Sequence, residues 1–160
     1  MAVIPVLASL LLTLPTPLTP EKPVEARCDG VTVAVALPGE LVVRCATGAT
    51  DARQALDRTG LAVHAGRGEG PYGDAGYVCR INEVPSAIDD DCAGHADGDP
   101  YWKVWRVGLD PVAWRASQTG DGPAGVPVCP GALVGFSFGG EMPVSPEAVL
   151  DDPGWLPPRC

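Results

Sequence analysis

The chain has 160 residues, six cysteines, two histidines and a formal net charge of −9. This length suits a single domain, because two independent cores of ordinary size would need a longer chain. The acidic balance disfavours a basic groove for nucleic acid and adsorption to an anionic membrane. We therefore expect no nucleic-acid partner, and we attribute the acidity to solubility.

The first residues are predicted to form a signal peptide at 1–26. Residues 2–14 are almost wholly apolar, which is about the length of a signal-peptide hydrophobic region. A membrane-spanning helix needs roughly 20 apolar residues, and the Pro-rich stretch 15–23 cannot continue a helix. A buried N-terminal helix is the alternative. We expect cleavage between Thr19 and Cys28, a secreted extracellular protein, and no membrane insertion afterwards.

A β-hairpin is predicted where two β-branched runs flank a turn. The runs are 31–37 and 41–45, and Pro38-Gly39-Glu40 lies between them. Turn residues between two such runs are typical of a hairpin. Cys28 stands just before the first strand and Cys45 at the end of the second, so we expect the two to meet. A shift of one or two residues in register, which a bulge supplies, is needed to align them.

A short helix is predicted after the hairpin. Thr50 is placed to cap it, and Asp51 suits its positive N-terminal end. Gly60 is placed to end it in a left-handed conformation. The apolar stripe that would face the core consists of Ala52, Ala55 and Leu56.

The rest of the chain predicts about three further strands. Residues 77–81 form one, which ends before Pro85 because proline cannot donate to a strand ladder. An acidic loop at 88–99 separates it from a strand at 101–107, and the last clear strand is 133–138. This order predicts an α+β fold with a β-grasp-like mixed sheet and one short helix, stapled by disulfides.

The six cysteines all follow the predicted signal peptide. An even number in a secreted chain is typical of a disulfide framework, whereas a metal site would need closely grouped ligands. Neighbouring chain ends favour two pairs, and elimination gives the third. The expected pairs are Cys28–Cys45, Cys79–Cys92 and Cys129–Cys160, the last tying a Pro-rich C-terminal tail (141–160) to the domain (27–140).

No residue pattern indicates catalysis or metal binding. Neither His64 nor His95 accompanies a serine in a nucleophile motif. The aspartates between 89 and 99 resemble a calcium loop at first sight, but Ala93 and Pro100 stand where ligands are required. We therefore interpret 88–99 as a solvated acidic loop. We expect no metal, no cofactor and no enzymatic activity.

An aromatic cluster is the more informative feature. Tyr101, Trp102, Trp105 and Trp114 lie close together in a chain with few aromatic residues. Because neighbouring side chains on a strand face opposite ways, we expect Trp102 under the helix and Tyr101 or Trp105 on the outer face with Trp114. One interpretation is a core covered by the loop 86–99. The other is a ligand-binding surface formed by Tyr101, Trp105 and Trp114.

Several sequence blocks between Cys28 and Phe138 recur in the order and spacing of a known family. The chain thereby resembles the transcobalamin-like C-terminal domain, in the short secreted form found in high-GC Gram-positive bacteria. The resemblance implies a β-grasp-like fold and, by comparison with cobalamin carriers, a corrinoid ligand. The blocks are 30–35 (GVTVAV), 44–46 (RCA), 76–82 (GYVCRIN), Tyr101-Trp102 with Trp105, Trp114 with Ser117, and Pro130-Gly131 leading to 135–138 (GFSF).

These observations favour a secreted, non-catalytic binding module. Its first candidate ligand is a small, flat, apolar molecule such as a corrinoid. The alternative is an extracellular protein-interaction module, an inhibitor or an adaptor, that binds a protein partner through strand edges and exposed aromatic side chains.

Overall fold

The computed structural model describes residues 28–66, 77–93, 98–109, 112–117 and 122–160, so the predicted signal peptide at 1–26 lies outside the described residues. Within these ranges, no helix is long and apolar enough to cross a bilayer. In chain order the elements are β1 (Val31–Leu37), β2 (Glu40–Ala46), α1 (Ala52–Asp57), β3 (Val63–Ala65), β4 (Val78–Ile81), β5 (Trp102–Leu109), β6 (Val112–Ala116), a 3₁₀ turn (Gly122–Gly125), β7 (Leu133–Phe138) and α2 (Pro146–Leu150).

Five strands form one mixed sheet in the order β2-β1-β7-β5-β6, and β3 pairs with β4 in a separate two-stranded sheet. In the larger sheet, β1 runs parallel to β7, and the other neighbours are antiparallel. Strands β1 and β7 therefore lie side by side in the centre of the sheet. Strand β2 lies on one side of them, and β5 and β6 lie on the other. This is the topology of a β-grasp sheet. The predicted α+β, β-grasp-like fold class is confirmed.

The predicted hairpin is confirmed, but its strands pair without a bulge. Val31 stands opposite Ala46 and Leu37 opposite Glu40, in unbroken register. A bend at residues 29–30 brings Cys28 to Cys45 instead. Gly30 makes this bend feasible, because a Cβ atom there would lie 2.2 Å from the Ala46 carbonyl oxygen.

Helix α1 covers one face of the sheet, which we call the helix face. Its N-cap is Asp51, whose side chain accepts a hydrogen bond from the Gln54 N–H at 2.8 Å. The prediction that Thr50 caps this helix is therefore wrong, because the chain enters the helix one residue later. The stripe of Ala52, Ala55 and Leu56 is fully buried, as predicted, in one cluster with the valines of β1 (Val31, Val33, Val35) and with Val134 and Phe136 of β7.

The opposite face of the sheet is covered by residues 139–160, which we call the terminal segment. A second apolar cluster forms there between Ala34 and Leu133 of the sheet and Val149 of α2. Ser145 caps α2 through a hydrogen bond from the Ala148 N–H at 3.3 Å. The sequence predicted one helix and a tail; the structure has a second short helix that packs on the sheet. The terminal segment is thus part of the core.

All three predicted disulfides are present, Cys28–Cys45, Cys79–Cys92 and Cys129–Cys160, and none of the six cysteines is free. The first closes the hairpin, and the second joins β4 to the acidic loop. The third fixes the end of the terminal segment to the turn before β7. The second and third cross-links therefore hold segments that have little secondary structure of their own.

Candidate functional site

The aromatic residues of β5 divide between the two faces as the strand alternation predicts. Trp102 belongs to the buried cluster of the helix face, so its predicted position is confirmed. Its indole Nε1–H donates to the Val84 carbonyl at 2.9 Å, and its ring lies 5.7 Å from that of Phe138. Trp102 thereby anchors the start of the loop that follows β4.

Trp105 points to the opposite face, but it is not on the surface, since it is only 8% exposed. The indole Nε1–H donates to Ser137 Oγ at 2.8 Å, and Ser137 Oγ donates to the Gly140 carbonyl at 2.8 Å. The Trp105 indole N–H and the Ser137 hydroxyl thus both have hydrogen-bond partners, as buried polar groups in a protein core usually do.

Trp114 lies on the same face and contacts the terminal segment. Its Nε1–H donates to the Val144 carbonyl at 2.7 Å. Its ring and Met142 both lie over Gly135, where a Cβ atom would be 3.0 Å from Trp114 Cζ3 and 2.9 Å from Met142 Sδ. The glycine at this position therefore makes room for the ring and for the segment that covers it.

Of the three predicted ligand-binding aromatics, Tyr101 alone is exposed, at 47%. The sheet does bring Trp105 and Trp114 to one face, but that face is covered by the terminal segment. The described part of the loop expected to cover it, residues 86–93 and 98–99, lies at the end of β7 instead. Ligand binding by these three residues stays a prediction, and on this face it would require residues 139–160 to move.

A pocket of about 620 Å³ opens at the end of the sheet where β5 begins and β7 ends. The pocket combines apolar side chains with four carboxylates, and we call it the aspartate pocket. It is lined by Pro85, Ile88, Pro100, Phe138, Asp89, Asp90, Asp91 and Asp99.

The described part of the acidic loop, residues 88–93 and 98–99, lies beside this pocket. The Ser86 hydroxyl donates to Asp89 Oδ2 at 2.6 Å, and the Cys92 N–H donates to Asp90 Oδ1 at 2.8 Å. The Cys79–Cys92 disulfide then fixes the loop to β4. Ile88 stands in this loop and is 96% exposed. The sequence predicts a solvated acidic loop at 88–99, and an isolated apolar residue within it is a sequence signal that points to this pocket.

Tyr77, just before β4, is influenced by the same carboxylates. Burial and, secondarily, the negative charges of Asp90 and Asp99 raise the pKa of Tyr77 to about 12. Its phenol is therefore neutral at physiological pH and stays so well into the alkaline range.

Neither metal binding nor catalysis finds support among the described side chains. Cys79, Asp90 and Cys92 are close enough to share an ion, but the two sulfur atoms are joined to each other, and a metal ligand must be a thiolate. Half-exposed His64 lies 3.3 Å from Glu83, and none of the six cysteines is a free thiol. His95 lies outside the described residues.

The chain matches no protein-family model, no curated protein and no solved structure. These comparisons do not bear on the resemblance to the transcobalamin-like domain, which stays a prediction.

Replacing Trp105 with alanine is expected to lower the free energy of unfolding by about 3–5 kcal/mol, because it leaves a large cavity in a covered face. Tyr101→Ala is the matched control, and we expect a loss of about 1 kcal/mol or less since that ring is half exposed. Urea unfolding of the disulfide-intact protein measures both. Equal stability of the two variants would contradict the burial of Trp105.

The pKa of Tyr77 is expected to fall from about 12 towards the ordinary value of 10.0 in Asp90→Asn, because one of the raising charges is removed. Asp29→Asn, at the opposite end of the sheet, should leave it unchanged. An NMR titration of the tyrosine ring carbons, assigned with Tyr77→Phe, measures this. Because the folded-state pKa lies above the unfolded one, Tyr77 contributes stability below pH 10.0 that is lost as the pH rises towards 12.

Proposed function

We propose that this chain is a secreted, non-catalytic binding module whose partner is a protein, and that the partner inserts a basic and apolar segment into the aspartate pocket. The observation that carries this proposal is the composition of the pocket. Four carboxylates and four apolar side chains line one space of about 620 Å³. No lysine, arginine or histidine is among the described lining residues.

The chemistry of the pocket defines its complement. Aspartates at neutral pH attract an ammonium or guanidinium group, and opposite charges at an interface raise the association rate and reject acidic partners. Phe138, Pro85 and Pro100 would pack against the aliphatic stem of a lysine or arginine, whose methylenes bury readily while the charged end stays solvated. Exposed Ile88 supplies a further apolar contact at the rim.

The predicted extracellular location is consistent with this function. Structural disulfides such as these three are typical of proteins in oxidising surroundings. Residues 90–93 of the acidic loop are held by Cys79–Cys92 and by the turns at Asp90 and Asp91. A preformed site loses little conformational entropy on binding.

A flat, apolar, corrinoid-like ligand is the second candidate, and the geometry favours it less. Trp105 and Trp114 are covered by the terminal segment, and a neutral planar molecule gains nothing from four carboxylates. If such a ligand binds, its absorbance spectrum should change on addition of the protein, and Met142→Ala should strengthen the effect by loosening the cover.

Two defined peptides test the main proposal. One alternates lysine and leucine, and the other has the same length but alternates glutamate and leucine. We expect the basic peptide alone to shift the NMR amide signals of Ile88, Asp99 and Phe138. Removing two pocket charges in Asp89→Asn/Asp91→Asn should weaken binding about tenfold at low salt, since asparagine keeps the acceptor oxygen of the loop turns.

The matched control is Asp29→Asn/Asp152→Asn, which removes two exposed charges outside the pocket. It should bind like the unmodified protein. Equal binding of the acidic peptide, shifts confined to other residues, or an equal loss in the control variant would each contradict the pocket as the binding site.

A further inference from the structure

The outer edge of β2 carries backbone groups that no other described strand uses. β2 pairs only with β1 in the described sheet. Leu37 and Glu40 flank the two-residue turn, so they exchange both hydrogen bonds, and bonded pairs recur at every second position. The Thr32 N–H donates to Ala132 on the β7 side at 2.8 Å, in agreement with this alternation. The N–H and C=O groups that face away from β1 therefore belong to Leu41, Val43 and Cys45.

The side chains along this edge are apolar in the middle and charged at both ends. Leu41, Val42 and Val43 are half buried, and the flanking Glu40 and Arg44 are exposed. Arg44 Nη1 donates to the Val43 carbonyl at 2.9 Å, which agrees with an outward-facing carbonyl. This bond opens when Val43 and Arg44 contact a second strand. An exposed edge with apolar residues is a template for a further strand.

The sequence Glu40–Arg44 is complementary to itself when it is read in the antiparallel direction. With Val42 opposite Val42 of a second copy, Leu41 stands opposite Val43, and Glu40 stands opposite Arg44. Each of these last two pairs occurs twice because of the two-fold symmetry. We propose that two copies of this chain pair through β2 in this register, so that one continuous sheet runs across a symmetric dimer.

Backbone and side chains agree on this register. Leu41 and Val43 both direct their amides outward, so they form a hydrogen-bonded pair across the interface. Opposite charges that face each other across strands are stabilising, and like charges are destabilising. A shift of one residue, with Val43 opposite Val43, places Arg44 against Val42 and leaves no ion pair. The other outer strand, β6, has Arg115 as its one charged residue and cannot form this pattern.

A charge exchange within one chain tests the proposal. Glu40→Arg creates two arginine pairs across the interface, and Arg44→Glu creates two glutamate pairs. Each is expected to raise the dissociation constant of the dimer about tenfold. The double variant Glu40→Arg/Arg44→Glu restores opposite charges, and we expect its dissociation constant to return to that of the unmodified protein.

Mixing the two single variants gives a second prediction with the same physical basis. The Glu40→Arg chain then carries arginine at both charged positions, and the Arg44→Glu chain carries glutamate at both. Both cross-strand pairs of a mixed dimer therefore join opposite charges, so the heterodimer should form more tightly than either homodimer. Sedimentation equilibrium of the disulfide-intact protein measures all species. Far-ultraviolet circular dichroism checks folding, which these exposed substitutions should not disturb.

Three outcomes would overturn the proposal. The first is a protein that stays monomeric up to about 1 mM. The second is a dimer that neither single variant weakens, and the third is a double variant as weak as the single ones. As an independent check, Val43→Pro removes one outward-facing N–H but no bond to β1, and it should abolish the dimer. The proposal does not depend on the aspartate pocket, because that pocket has no lining residue in β2.

Discussion

A β-sheet that is apolar on both faces must be covered twice, and in the described part of this chain α1 covers one face while a largely irregular segment covers the other. The six residues of α1 cover the valines of β1 on the helix face. The terminal segment, residues 139–160, covers the other face with Met142, Val144, Val149 and Trp155. This segment has one helix of only five residues. The Cys129–Cys160 disulfide compensates for this, because it reduces the conformational entropy that the segment gains when the protein unfolds.

Large and small side chains are distributed differently on the two faces of the sheet. On the helix face, large valines on β1 meet the small alanines of α1. On the terminal face, small residues on the central strands, Ala34 and Gly135, leave space for the Trp114 ring and Met142. The two proposed binding features lie at the margins of the sheet. The aspartate pocket lies at one end of β5 and β7, and the free strand edge lies along β2.

Much of the framework could be predicted from the sequence, because its signals are local. A turn between β-branched runs predicts the hairpin, and neighbouring chain ends predict two disulfides. The covering of Trp105 could not be predicted, because the interaction with the terminal segment is long-range and a Pro-rich stretch has no periodicity that marks a buried face. The aspartate pocket was missed for a related reason: Phe138 and Ile88 are far apart in sequence, so the loop alone was typical of a solvated surface.

The central claim is that the terminal segment lies on the sheet, with Met142 and Trp114 meeting over Gly135. A nuclear Overhauser spectrum of the disulfide-intact protein tests it most directly. We predict strong cross-peaks from the Met142 ε-methyl to the Gly135 Hα protons and to the Trp114 ring, together with slow exchange of the Trp114 indole N–H with solvent. Absence of these cross-peaks, with an indole N–H that exchanges as fast as an exposed one, would contradict the account and return Trp105 and Trp114 to the surface.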